Sequence, residues 1–194
     1  MFEAPGFATA LRLTLTVGAS TSLLALILAM GFSAWRAARP RARELDRFLA
    51  PLMASPHSAV ALGLAFLIAP SGWLIRLLSP WATGWEQPPA GLVTTQDPWA
   101  LSFILGLLLK EVPYLVLMII AASAQVPVER SMAAARALGQ SGPVAWLKAV
   151  LPQVYPQIRL PIFAVLAFSL SAVDVGLILA PGNPPPLALL ATRW

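Results

Sequence analysis

Four apolar stretches, each long enough to cross a lipid bilayer, constrain this chain more than any other feature of its sequence. The predicted spans are residues 7–31, 51–69, 99–122 and 160–180. A span needs about 20 apolar residues, since a helix rises about 1.5 Å per residue and the hydrocarbon layer is about 30 Å thick. Each stretch is apolar on all sides, as expected of a helix in a membrane. The sequence therefore predicts an all-α integral membrane protein, with a single transmembrane domain over residues 1–194.

The composition agrees with a chain embedded in lipid. Hydrophobic residues make up 58% of it and charged residues 11%, whereas soluble proteins have about 45–50% and about 25%. The chain has no cysteine and one histidine, which excludes disulfides and thiolate ligands. We therefore expect no metal site.

The formal charge of +5 raises the question of nucleic-acid binding, which the positions of the basic residues answer. Nine of the thirteen basic side chains fall in the two loops that follow the first and third spans: Arg36, Arg39, Arg41, Arg43, Arg47, Arg130, Arg136, Lys148 and Arg159. Basic loops stay on the cytoplasmic side of a membrane, so we expect the N-terminus outside and no nucleic-acid partner. The first basic loop is also suited to contact with acidic membrane lipid.

On this topology, residues 70–98 lie outside. The segment from Gly72 to Trp81 carries tryptophan near both ends, which predicts a short helix lying in the membrane interface. Arg12 lies near the outer end of the first span, and we expect its long side chain to reach the outer interface.

The loop between the third and fourth spans, residues 126–159, is too polar and too rich in helix-forming residues for a plain connector. Residues 129–138 predict a short helix, with Gly139 at the C′ position. Its alanines would let a partner surface approach the backbone closely. Gly142 and Pro143 predict the start of a second short helix, which we expect Pro152 to interrupt.

The alanine run that ends at Gly139, with the Leu-Pro pair twelve and thirteen residues later, resembles the EAA loop of the binding-protein-dependent ABC importer permeases. The family pattern is Glu-Ala-Ala, three residues, Gly, nine residues, Ile, one residue and Leu-Pro. The matching positions are Ala134, Ala135, Gly139, Leu151 and Pro152. Ala133 stands in place of the family's glutamate and Ala149 in place of its isoleucine. Glu129, one turn before Ala133, either substitutes for that glutamate or is a plain charge at a helix N-terminus.

The resemblance implies a five-span permease core in a bacterial inner membrane, with this loop as a coupling helix on a cytoplasmic ABC ATPase dimer. It implies a second permease half or subunit and a solute-binding protein at the outer face. ATP would be used by the partner ATPase, and this chain would bind no cofactor. Four spans of the five are predicted, so the resemblance also suggests a truncated chain or half of a duplicated permease, similar to those of thiamine and iron uptake systems.

Lys110 and Glu111 fall near the middle of the third span, where an unpaired charge is costly. Asp174 is a potential partner for Lys110, and His57 for Glu111. Two interpretations stay open: these residues line a transport path, or they form an internal tether that fixes helix packing. Pro113 favours the tether, because a kinked helix needs polar groups nearby.

Two rival functions remain, a non-transporting membrane scaffold or assembly subunit and, less favoured, an intramembrane enzyme. The chain offers few groups for catalysis, and no catalytic residue is predicted. It also lacks a Walker A pattern, so ATP hydrolysis is expected in a separate subunit.

Overall fold

The computed structural model describes residues 6–192, apart from the side chains of Pro40 and Arg43. This part of the chain is helical and contains no β-strand. Its α-helices are α1 (Phe7–Ala38), α2 (Leu49–Ala54), α3 (His57–Ile68), α4 (Trp73–Leu78), α5 (Leu101–Ser123), α6 (Val128–Ala137), α7 (Gly142–Ala145), α8 (Leu151–Ser171), α9 (Asp174–Leu179) and α10 (Leu187–Ala191). A 3-10 helix covers Pro40–Phe48 and a π-helical turn covers Trp146–Val150.

Within the described range, four helical segments are long and apolar enough to cross a membrane. They are Phe7–Ala38, His57–Leu78, Leu101–Ser123 and Gly142–Ser171. The predicted all-α membrane protein with four spans is therefore confirmed. The first helix continues to Ala38 instead of ending at residue 31, and the bounds of the second and fourth spans also differ from the prediction.

The second predicted span, residues 51–69, is not one continuous helix. It breaks at Ser55 and Pro56, between α2 and α3, and Pro56 has an extended backbone with ψ of 146°. Proline lacks a backbone N–H and disfavours helical geometry in the residue before it. After α3 the chain turns tightly into α4, which lies within the predicted interfacial segment. A Cβ atom on Gly72 would lie 2.6 Å from the Phe66 carbonyl oxygen, so this turn requires glycine.

The fourth predicted span, residues 160–180, begins and ends earlier in the structure. Helical backbone runs from Gly142 to Ser171, and Pro152 lies inside it instead of interrupting it. The π-helical turn explains this, because Leu151 N–H donates to the Trp146 carbonyl five residues earlier, and proline next in line has no N–H to place. The chain then breaks before α9, whose first residue is Asp174, and a carboxylate suits a helix N-terminus.

The chain divides into two compact units. The first comprises Met1–Thr21, Ser55–Leu109 and Phe168–Trp194. Its core is built from small and aliphatic side chains around one phenylalanine: Val17, Ala61, Leu64, Ala100, Phe103, Leu107, Ala172, Val175, Leu179, Ala180 and Leu189. A Cβ atom on Gly106 would lie 2.4 Å from Leu179 Cδ1, so α5 and α9 approach closely there. Small residues at such crossings are typical of membrane helix packing.

Asp97 caps the N-terminus of α5, and this end of the helix lies in the first unit. It is 7% exposed, and its carboxylate accepts hydrogen bonds from Leu101 N–H at 2.8 Å, Ser102 N–H at 2.8 Å and the Ser102 hydroxyl at 2.6 Å. Burial disfavours the charged form, but these hydrogen bonds outweigh it and hold the pKa of Asp97 below the ordinary value of 3.8. The charged carboxylate therefore stabilises the start of α5.

Replacing this carboxylate by Asp97→Ala is expected to lower the free energy of unfolding by about 0.5–2 kcal/mol, the usual cost of losing a helix cap. Because the folded pKa lies below the unfolded one, the stabilisation is fully present above the unfolded pKa and is lost as the pH falls through the folded pKa. Thermal unfolding in detergent, measured from above the unfolded pKa of Asp97 to below its folded pKa, checks the size of the loss and its dependence on pH. Glu86→Ala, at an exposed carboxylate, is the matched control and should change stability by less than about 0.5 kcal/mol.

The second unit comprises Ser22–Ala54 and Lys110–Ala167. Its buried apolar side chains include Ala25, Ala29, Leu115, Val116, Ile119, Val150, Val154, Ile158 and Val165. The Arg36 guanidinium, in the last turn of α1, holds the Asp46 carboxylate of the 3-10 helix in a two-pronged ion pair, with Nε 2.8 Å from Oδ1. This pair fixes the basic segment against the end of α1, since such bidentate geometry is directional.

Candidate functional site

Helix α6 ends in a Schellman motif with Gly139 at the C′ position. Gly139 has a φ of +82°, which lies in the left-handed region. Its N–H donates to the Arg136 carbonyl at 2.9 Å, and Gln140 N–H donates to the Ala135 carbonyl at 3.2 Å, the two bonds that define the motif. The predicted C′ glycine is confirmed. A Cβ atom at Gly139 would meet nothing within 4 Å, so glycine is required here by backbone conformation alone.

The second helix of the loop, which consists of α7 and the π-helical turn Trp146–Val150, packs against α6. Met132 on α6 and Trp146 and Val150 on the second helix are buried. The Gln153 side-chain amide donates to Ser131 Oγ at 2.9 Å, which links the two helices again. The loop thus has a defined structure of its own, in which α6 packs against the first turns of the helical stretch Gly142–Ser171.

The residues of the motif divide into exposed and buried positions. The exposed ones are Glu129, Ala133, Ala134, Gly139 and Pro152. Leu151 is half-buried, and Ala135 is buried at 8% exposure. Ala135 is therefore less accessible to a partner than the neighbouring alanines, although it contributes to the lining of a groove beside α6. Ala133 and Ala134 remain available to a partner.

A groove of about 390 Å³ opens beside α6. Ala134, Ala135 and Ala149 of the motif contribute to its lining, together with Leu138 and Lys148. Leu138 is 81% exposed, although it belongs to a polar loop and not to a span. Leu138 therefore adds an exposed apolar surface to the wall of the groove. Leu138 was not predicted as a site residue; a leucine directly before a C′ glycine in a polar loop is the signal that indicates it.

Lys110 on α5 is 2% exposed, and its ammonium group binds the end of α2. Nζ donates to the carbonyl oxygens of Leu52 at 2.8 Å and Met53 at 3.0 Å. These carbonyls belong to the last turn of α2, which ends at Ala54, and carbonyls at a helix end commonly accept from groups outside the helix. The geometry favours the tether interpretation of Lys110. The Ser-Pro pair is the sequence signal for a helix end in this apolar stretch.

The other ionisable residues predicted for this site, Glu111, Asp174 and His57, lie in different environments. Glu111 is 5% exposed, and Asp174 is exposed at the N-terminus of α9. His57 begins α3, and its ring centroid lies 4.6 Å from that of Phe168. Lys110 and Glu111 belong to the second unit, whereas Asp174 and His57 belong to the first, so the two pairings between them stay predictions. In the part of the chain that the structure describes, no cluster of ligand side chains is placed to hold a metal ion.

No protein-family model matches the chain. Its sequence is 31% identical over 199 residues to the inner membrane ABC transporter permease protein YnjC of Escherichia coli (strain K12). This chain is similar to an ABC permease. The alignment covers 100% of the chain and 36% of YnjC, so the chain spans about a third of the length of that relative. The printed name of that relative describes an ABC transporter permease of the inner membrane.

Proposed function

We propose that this chain is the transmembrane permease subunit of an ABC importer, coupled to a cytoplasmic ATPase dimer through residues 129–152. One observation carries the proposal: a short helix with exposed alanines and a glycine-capped end lies in the polar loop of an apolar helical protein. The groove beside α6 and the exposed Leu138 give an ATPase surface both a recess and an apolar contact. The similarity to YnjC supports the same class of protein.

The loop is also suited to passing motion into the membrane. From Gly142 to Ser171 the helical backbone is unbroken, so displacement of α7 is carried into the fourth span. In the proposed cycle, ATP binding closes the partner ATPases and shifts the loops, and the spans rock to open a central path to either side in turn. A second permease half or subunit and an outer solute-binding protein complete this assembly, and ATP is used by the ATPase partner.

Reconstitution tests this function. The chain is co-expressed with the ABC ATPase, any second permease subunit and the solute-binding protein encoded beside it, and the purified complex is placed in lipid vesicles. We expect the ATPase to co-purify and solute to accumulate only when ATP is present. A chain that binds the ATPase yet supports no ATP-dependent uptake of the solute held by that binding protein would be a scaffold, and the proposal would be wrong.

A further inference from the structure

Four polar side chains of α1 share one side of the helix, whereas Thr14, Thr21 and Ser22 lie outside this row. The row consists of Thr9, Arg12, Thr16 and Ser20. Successive residues on a helix are about 100° apart, so these four fall within an arc of about 80° and extend for about 16 Å along the axis. They therefore form one polar stripe that runs deep into the span.

The stripe lines a groove of about 740 Å³ in the first unit. The other wall is formed by the start of α5 and the residues before it, including Pro98, Trp99 and Ile104. Small-molecule sites usually have volumes of about 300–1,000 Å³, so this groove has the size of a solute site.

The groove presents a positive charge and hydrogen-bond donors. Arg12 is exposed and is the one charged residue that lines it, and among the residues that the structure describes it forms no salt bridge. Thr9, Ser20 and the indole of Trp99 add potential donors, whereas the Thr16 hydroxyl already donates to the Leu13 carbonyl at 2.9 Å.

Among the described residues, the carboxylate nearest in sequence to the groove lining is engaged in hydrogen bonds at the start of α5. The carboxylate closest in sequence to the α5 wall is Asp97, which is 7% exposed and bonded to Leu101 and Ser102 at the start of α5. Arginine is the side chain best suited to recognise oxyanions, because its planar guanidinium offers several donors in a fixed fork. The lining is mostly apolar, and Arg12 with the neighbouring hydroxyls are the groups in it that are suited to hold the oxygen atoms of a small anion.

We propose that this groove binds the oxyanion group of a small solute, of the sulfate or phosphate class, with Arg12 as its principal ligand. That the groove forms part of the transport path rests on the proposed function. The expected alternative, that Arg12 reaches a lipid headgroup, needs polar groups only at the outer turn of α1. The stripe instead continues to the half-buried Ser20, about 12 Å beyond Arg12 along the helix axis, and both residues line the groove.

Calorimetric titration of the purified chain in nanodiscs with sodium sulfate and sodium phosphate tests the proposal. We expect saturable binding of at least one anion, weakened about tenfold or more by Arg12→Gln, since hydrogen bonds to a charged group are among the strong ones. Arg12→Lys keeps the charge and should retain part of the affinity. Arg76→Gln removes an exposed arginine that does not line the groove and should change the affinity less than about twofold.

Thermal unfolding of Arg12→Gln should match that of the unaltered chain, which separates loss of binding from loss of folding. Absence of saturable binding to both anions, or equal binding by Arg12→Gln, would overturn the proposal. Loss of co-purified anionic lipid from Arg12→Gln, without anion binding by the unaltered chain, would show a headgroup site and overturn it as well. Anion binding dependent on Arg12 in a chain that fails the uptake test would leave this site standing and refute only the proposed function.

Discussion

Gly139→Leu is expected to leave the protein inserted in the membrane while lowering ATP-dependent uptake about tenfold or more. An L-residue in the left-handed conformation costs roughly 1–2 kcal/mol, and each 1.4 kcal/mol is about a tenfold change in a population. The Schellman turn will therefore rearrange and move α6 relative to the helix that follows. Uptake by vesicles with equal amounts of each variant measures the effect. Gly139→Asn should be milder, because asparagine tolerates this conformation better than other residues.

Gly91 offers a matched control for the backbone cost. Its φ is +89°, and a Cβ atom there would also meet nothing within 4 Å, but it lies between α4 and α5, outside the coupling loop. Gly91→Leu should therefore carry a similar conformational cost and leave uptake unchanged. Equal loss of uptake in both variants, or normal uptake by Gly139→Leu, would contradict the coupling role of this turn.

Lys110→Met is expected to destabilise the protein by about 1–3 kcal/mol, the usual cost of leaving buried hydrogen-bonding groups without a partner. Methionine keeps the length of the side chain but removes the donor that satisfies the Leu52 and Met53 carbonyls. Thermal unfolding in detergent measures the loss, and uptake by the folded fraction measures any effect on transport.

Lys148→Met is the control for removing a lysine charge, because Lys148 is exposed in the coupling loop. It should change stability by less than about 0.5 kcal/mol, as is usual for surface substitutions. If Lys110→Met instead unfolds like the unaltered chain but binds solute with altered affinity, Lys110 lines the path and the tether interpretation is wrong.

The features that could be predicted are those that depend on neighbouring residues in the chain. Uninterrupted apolar stretches predicted the four spans, since the length of a helix that crosses lipid is set by bilayer thickness. Gly139 was predicted at the C′ position because few other residues adopt a positive φ at low cost. The segment Gly72 to Trp81 predicted a short helix, and α4 lies within it.

Other features depend on competition between local signals or on contacts between distant residues. One continuous span was predicted across Pro56 because the surrounding residues are apolar. The structure instead has a break in the helix at this proline. At Pro152 the opposite happened, because a π-helical turn accommodates a residue that would otherwise end the helix. The partners of Lys110 lie 57 and 58 residues earlier in the sequence, and the Ser-Pro pair marks a helix end without showing which side chain will contact it.

The contact between Lys110 and the end of α2 also has a consequence for the order of membrane insertion. The Leu52 and Met53 carbonyls emerge from the ribosome before the lysine that satisfies them. Until α5 enters, these carbonyls lack the hydrogen bonds from Lys110, and hydrocarbon offers no donor in place of its ammonium group. We therefore expect α2 to remain at the membrane interface during synthesis and to insert fully only when α5 is inserted. Two segments far apart in the chain would then complete their insertion together.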